Sequence, residues 1–86
     1  FVVATPGRGM DATVLVSRLR RDGIRVDTTD TARSLKAQFK AADRSGAATT
    51  LVVGDEWDAG TVRAKRMADG TESDISIEEI AAWLRN

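Results

Sequence analysis

The chain contains no cysteine and no histidine. The first absence removes disulfides and thiolate nucleophiles. The two together remove Cys/His zinc sites and any His-based triad or general base. No apolar run approaches the ~20 residues of a membrane span. Phe1-Val2-Val3-Ala4 is too short, and has no basic leader, to be a signal peptide. Neither sign of charge is in surplus, because 13 basic residues balance 13 acidic ones. A protein that coats nucleic acid is usually basic overall, so that class is disfavoured, while a local basic site stays open. There is no internal repeat, low-complexity tract or linker. What remains is 86 residues, 42% hydrophobic and 30% charged, the composition of one small soluble globular domain with a modest core. The chain opens at Phe1, without a Met and directly in a strand-like run, and is read as a piece cut from a longer protein.

Phe1 to Ala4 is a short apolar run and predicts a buried strand, closed by the loop Thr5-Pro6-Gly7-Arg8-Gly9. Asp11 to Asp22 predicts a helix, with Val14, Leu15 and Leu19 as its inner stripe. Asp11 is its expected N-cap and Gly23 its expected C′ residue. Ile24 to Asp27 alternates Ile24 and Val26 with Arg25 and predicts a strand exposed on one side. Thr28 to Thr31 is a polar turn offering caps for a second helix, which Ser45-Gly46 ends. Thr49 to Val53 is β-branched and apolar, a central strand closed by Gly54. Val62 to Met67 and Glu72 to Ile75 flank an Asp69-Gly70 pair and predict a hairpin. Ser76 and Glu79 match a capping box for a last helix that buries Ile80, Trp83 and Leu84. The order β-α-β-α-β-β-β-α predicts an α/β fold, with a mixed five-stranded sheet and three helices.

The second helix carries the most specific pattern. At ~100° per residue, Arg33, Lys36, Lys40 and Arg44 fall within an arc of about 80°. Leu35, Phe39 and Ala42 lie opposite. A cationic arc of this kind is often only the solvated face of an amphipathic helix. Between Arg33 and Arg44, however, the only acid is Asp43, so the stripe is not laced with i,i+4 ion pairs. A second basic group, Arg63, Lys65 and Arg66, follows Gly60, and Arg63 and Lys65 share one face of their strand. Together the two groups suit an anionic ligand on a neutral domain.

Other features are weaker. The Pro6–Gly9 loop precedes a helix, as phosphate loops do, but has neither the Gly-Lys-Ser/Thr ending nor the GxGxxG spacing. It reads as a plain strand-to-helix turn. Asp27 and Asp55 are expected at carboxyl ends of parallel strands, where open α/β sheets bind ligands, but solvated loop charges and caps are the favoured reading. Trp57 stands in the polar turn Gly54 to Gly60. An exposed Trp there can stack on an unpaired base or fold back as a lid over the sheet, and the lid is favoured.

Several segments along the chain resemble a known family. Leu19-Arg20-Arg21-Asp22-Gly23-Ile24-Arg25-Val26 is similar to the "LR..GI.V" step of the C-terminal anticodon-binding domain of class IIa aminoacyl-tRNA synthetases. Arg33-Ser34-Leu35-Lys36-Ala37-Gln38-Phe39-Lys40-Ala41-Ala42-Asp43, with Gly46-Ala47, resembles the second helix of the histidyl-type domain; the prolyl, threonyl and glycyl types carry another pattern there. Leu51-Val52-Val53-Gly54-Asp55-Glu56 and Gly60-Thr61-Val62-Arg63-Ala64-Lys65 resemble the strand, "G-x-x-E" turn and "G-x-V-x-V-K" strand that follow. Asp69-Gly70-Thr71-Glu72 matches the hairpin. The resemblance covers essentially the whole chain.

It implies a tRNA anticodon-binding module supporting ATP-dependent attachment of histidine to its tRNA. The residues it implies for base recognition are Thr31, Arg33 and Ser34 at the start of the second helix, Glu56 or Trp57 in the turn, and Lys65. Phosphate contacts fall to Lys36, Lys40, Arg44, Arg63 and Arg66. The implied partner is the anticodon loop of histidine tRNA, with no membrane contact, in the cytoplasm. The parent protein is expected to be a homodimer and the isolated domain a monomer. This domain needs no cofactor or metal and catalyses nothing alone; ATP and Mg belong to the parent's catalytic domain. Two departures keep a second reading open. The turn from Gly54 to Gly60 is one residue short, and Arg66-Met67 replaces Asp or Asn followed by Leu. A regulatory or protein-interaction domain of a synthetase-like paralogue would show the same fold.

Overall fold

β1 (Val2–Ala4) and β2 (Thr49–Val53) run parallel, with Val3 opposite Val52. β2 then pairs antiparallel with β3 (Thr61–Arg66), and β3 with β4 (Glu72–Ser76), so the sheet order is β1-β2-β3-β4. Three helices flank it: α1 (Gly9–Arg21), α2 (Leu35–Ser45) and α3 (Ile80–Arg85). The computed structural model describes residues 1–85.

The parity of the strands sorts the core. Val2, Ala4, Leu51, Val53, Val62 and Ala64 join Ala12, Leu15, Val16 and Leu19 of α1 and Ile80 and Ala81 of α3 in one buried cluster. The inner stripe of α1 is thus Ala12, Leu15, Val16 and Leu19, spaced i, i+3, i+4, i+7. Val14, expected inside, is turned about 100° around the helix from Leu15 and is 57% exposed. The opposite face of the sheet carries Val52, Arg63 and Lys65 and meets α2.

The expected fifth strand is not formed among the described residues: the sheet has four strands, residues 24 to 27 belong to none of them, and the segment touches β1 through one isolated bridge, Val2 to Thr28. The reason lies in how the outer edge of β1 is satisfied. In an extended strand alternate residues aim their N–H and C=O at the same edge, here Val2 and Ala4. The Val2 N–H donates to the Asp27 carbonyl at 2.9 Å, and the Thr28 hydroxyl donates to the Val2 carbonyl at 2.8 Å. At Ala4 the side chain of Gln38 takes both groups: the Ala4 N–H donates to Oε1 at 2.8 Å and Nε2 donates to the Ala4 carbonyl at 2.9 Å. The Asp27 carbonyl, the Thr28 hydroxyl and the Gln38 amide take all four edge groups, so the Val2 bridge cannot extend into a ladder with Ile24–Val26. Ile24 and Val26 still pack on the core cluster, which explains their alternation.

The helix starts also differ from expectation. α1 begins at Gly9 with Arg8 at the cap position, and Asp11 lies in its first turn. Gly23 does take the left-handed conformation, with φ of 81°. α2 begins at Leu35, not in the Thr28–Thr31 turn, because Asp30 closes a turn of its own. Asp30 Oδ1 accepts the Ala32 N–H at 3.0 Å and its carbonyl accepts the Arg33 N–H at 3.2 Å. Ser34 is the cap, its hydroxyl accepting the Ala37 N–H at 3.2 Å. Ser76 ends β4 and leads into a 3₁₀ turn, Ile77–Glu79, without a side-chain cap, so the predicted capping box is not made. Trp83 is half-buried rather than fully in the core, with the Arg66 guanidinium 4.5 Å from its ring centroid.

Candidate nucleic-acid interface

Residues 54 to 60, expected as a polar turn, form a 3₁₀ segment, Asp55–Ala59, closed by Gly60 at φ of 84°. This segment, the Thr5–Gly9 loop and the Thr31–Ser34 turn meet beside the carboxyl ends of β1 and β2. Arg8 links two of them. Its guanidinium donates to both carboxylate oxygens of Asp58, at 3.0 and 2.7 Å, and also to Asp55 and Asp11, each at 3.2 Å. The two-pronged Arg–carboxylate contact fixes direction as well as distance. It raises the Arg8 pKa above its ordinary value, chiefly through the hydrogen bond to Asp58, and lowers that of Asp58. Arg8 therefore fastens the 3₁₀ segment to the start of α1. Gly9 completes the junction: a side-chain carbon placed there would come within 2.8 Å of the Thr31 hydroxyl, so glycine lets the turn approach.

A cleft of about 400 Å³ opens on the α2 side of the sheet. Leu35 and Phe39 of α2 and Val52 of β2 form its apolar wall; Thr5, Asp55, Glu56, Arg63 and Glu72 supply polar groups. Glu56 folds back against Gly54, whose missing side chain leaves Oε1 at 3.4 Å from the place a carbon would take. Trp57 points the other way and packs, half-buried, against the α1–α3 core, in the manner of the expected lid. Of the two residues, Glu56 lines the cleft.

The structure splits the second basic group. Arg63 lies opposite Asp74 in the β3–β4 ladder and bonds it at 3.2 Å, with Glu72 at 3.9 Å. That pairing with Asp74, then Glu72 and Glu56, raises its pKa. Lys65 faces the same side, its ammonium 5.2 Å from the Phe39 ring centroid, a cation–π distance. Arg66 has the opposite parity and stacks on Trp83 on the α3 side, away from the cleft. The α2 stripe stays together: Arg33, now in the turn before the helix, lines one shallow groove with Lys36, Lys40 and Arg44. These four cations make no ion pair among the described residues. α2 thus presents a base-sized apolar cleft on one flank and a free cationic groove on the other.

The two acids considered for a ligand site do not converge. Asp55 follows β2 at its carboxyl end, whereas Asp27 pairs with Val2 at the amino end of β1. Among the described residues no group of acids has metal-holding geometry, and no helix is long and apolar enough to cross a membrane. Sequence reasoning missed Arg8 and Gln38. Arg8 stands between two loop glycines and carries no local signal. Gln38 does: it falls at about 140° on the helical wheel, opposite the cationic stripe and about 40° from Ala42.

A family model described as "Anticodon binding domain" matches residues 2–86. The chain belongs to the anticodon-binding domain family. Over 86 residues it is 44% identical to a histidine–tRNA ligase of Geobacillus thermodenitrificans, covering 98% of this chain and 20% of that protein. The crystal structure of apo S. aureus histidyl-tRNA synthetase matches with a TM-score of 0.83 at 32% identity, over 96% of this chain and 25% of that one. That of histidyl-tRNA synthetase from Nostoc sp. matches with a TM-score of 0.85 at 25% identity, over 98% and 21%. This anticodon-binding domain therefore spans about one fifth of the length of the curated relatives it matches.

Proposed function

We propose that the chain is the anticodon-binding module of a histidine–tRNA ligase and holds the anticodon loop of histidine tRNA across the first turn of α2. The observation that carries this reading is the pairing of the two flanks of that helix: the Leu35–Phe39–Glu56 cleft on one side and the unpaired Arg33, Lys36, Lys40 and Arg44 on the other. Protein recognition of single-stranded RNA needs a flat apolar surface for a splayed base, hydrogen-bonding groups at the base edge, and cations for the backbone. Leu35 and Phe39 offer the surface. Glu56 accepts from base N–H groups, and Thr31, Arg33, Ser34 and Lys65 supply the remaining polar contacts. Lys36, Lys40 and Arg44 hold phosphates. Arg63 acts inside the cleft, partly neutralised by Asp74 and Glu72. Arg66, on the α3 side, can reach only RNA that passes around the β3–β4 hairpin. Trp57 supports the 3₁₀ segment from beneath.

Attachment of histidine, with the ATP and Mg it uses, belongs in this reading to a catalytic part of a longer parent, a cytoplasmic homodimer. The present domain supplies tRNA selection, as a monomer when isolated. The direct test is titration of the chain with an anticodon stem-loop of histidine tRNA at low salt, beside the same stem-loop with a substituted anticodon. Binding that weakens on substitution is the expected result. No binding, or binding indifferent to the anticodon, overturns the reading and returns the domain to protein interaction.

A further inference from the structure

Gln38 is fully buried on a helix whose other polar side chains face solvent. Both ends of its amide are hydrogen-bonded. Oε1 accepts the Ala4 N–H at 2.8 Å; Nε2 donates to the Ala4 carbonyl and the Arg33 carbonyl, both at 2.9 Å, with the Thr31 carbonyl at 3.4 Å. No buried side-chain nitrogen or oxygen lacks a partner among the described residues. One side chain therefore joins the edge strand β1 to the turn that precedes α2. Its other hydrogen bonds are short-range: Asp30 accepts from the Ala32 and Arg33 N–H groups, and Ser34 accepts from those of Ala37 and Gln38. Among the described residues, the only hydrogen bonds that link residues 31 to 34 to the sheet run through the Gln38 side chain, while Thr31 also lies close to Gly9 and beside α1.

We propose that Gln38 is a positioning residue for RNA recognition: it sets the place of the Thr31–Ser34 turn relative to the sheet, and so relative to Glu56 in the 3₁₀ segment that follows β2. The proposal rests on the reading of this site as the anticodon pocket. Discrimination between bases depends on donors and acceptors held in one geometry, because a polar group that drifts gains as much from the wrong edge as from the right one. A turn pinned only to its own residues would drift. Gln38 transfers to it the rigidity of β1, which is hydrogen-bonded on both sides. No contact between Gln38 and RNA is required, since its amide is buried beneath the turn.

The test uses Gln38→Met, which keeps the length and loses the amide, and Gln38→Asn, which keeps the amide but is one methylene too short to bridge strand and turn. Two readouts are taken on the whole chain. Amide hydrogen exchange without RNA compares Ala32 and Arg33 in the turn with Leu51 in the sheet and Trp57 in the 3₁₀ segment. Affinity is then measured for the histidine stem-loop and for its anticodon-substituted form. The expected result is faster exchange at Ala32 and Arg33 alone, with the ratio of the two affinities falling about tenfold, the scale of one well-placed polar contact. Should the Met variant unfold, the Asn variant carries the measurement. A folded variant that discriminates as well as the parent chain, or whose turn exchanges no faster relative to Leu51, overturns the proposal. If the parent chain itself ignores the anticodon, the functional reading fails, while the exchange comparison still decides whether Gln38 positions the turn.

Discussion

Arg8 and Asp58, 50 residues apart in sequence, meet through two parallel hydrogen bonds of 3.0 and 2.7 Å. The contact closes the β1–α1 loop onto the 3₁₀ segment that carries Glu56, and its strength depends on pH with a definite sign. Asp58 is held below the ordinary carboxylate range, first by the Arg8 hydrogen bond and then by the Arg8 charge. A carboxylate depressed by folding stabilises the native state above its unfolded pKa and loses that contribution as pH falls through its folded value. Thermal unfolding followed from pH 7 to below about pH 4, the ordinary Asp value, should therefore show the parent chain ahead of Asp58→Asn at neutral pH and the two curves converging on acidification. Asp69, depressed by the Thr71 N–H and hydroxyl, stays acid-sensitive in both chains, so neither curve becomes flat. Curves that run parallel would show that the Arg8 contact adds nothing to stability. Salt should narrow the neutral-pH gap, since Asp58 is largely exposed.

The core predicts a sharp contrast between neighbours on α1. Leu15 is fully buried in the α1–sheet cluster, and Val14 beside it is 57% exposed. Truncating a buried Leu removes its transfer free energy and leaves a cavity, so Leu15→Ala should cost about 2–5 kcal/mol. Small domains have total stabilities of roughly 5–15 kcal/mol, so much of the fold's margin would go. Val14→Ala should stay within about 0.5 kcal/mol. Urea denaturation midpoints measure both, and a large loss at Val14 would show that α1 packs differently.

That contrast also marks where local pattern stops being informative. The order of elements, the α2 amphipathicity, the Asp69–Gly70 hairpin and the two-faced β3 strand were legible, because each depends on residues a few positions apart. The missing fifth strand was not. Ile24 and Val26 alternate as strand residues do, but whether they pair depends on which group satisfies Ala4, and that group is Gln38, 34 positions along the chain. Helix starts slipped for a related reason: Thr28, Asp30, Thr31 and Ser34 are all competent caps, and only the turn closed by Asp30 decides that Ser34 serves. At the candidate site, the cationic stripe and Glu56 were visible as residue types. The direction of Trp57 and the separation of Arg66 from Lys65 came from which face of the sheet each occupies.

Lys65 supports a prediction that separates base reading from packing. Its ammonium lies 5.2 Å from the centroid of the Phe39 ring, and Phe39 is a wall of the cleft. Lys65→Ala should weaken stem-loop binding by ~1–3 kcal/mol if the ammonium donates to a base edge, and the loss should shrink when the contacted base is replaced. A cation–π contact alone contributes about 0.5–1 kcal/mol at exposed sites and would lower stability, not selectivity. Titrations of both proteins against stem-loops substituted one anticodon position at a time decide between the two. Equal losses on every stem-loop would remove Lys65 from base recognition.

The cationic groove predicts the opposite signature. Lys36, Lys40 and Arg44 line it together and have no carboxylate partner among the described residues. Cations that neutralise phosphates release condensed counterions, so affinity falls with salt whatever the base sequence. Replacing all three with Gln should weaken binding equally for histidine and anticodon-substituted stem-loops. It should also flatten the dependence of log affinity on log salt by about 0.7 for each phosphate that single-stranded RNA no longer has neutralised, or about 2 for the triple variant. Binding isotherms across a salt series give that slope directly. An unchanged slope would reduce the stripe to a solvated helix face, whereas a change in selectivity without a change in slope would move these three residues from the RNA backbone to its bases.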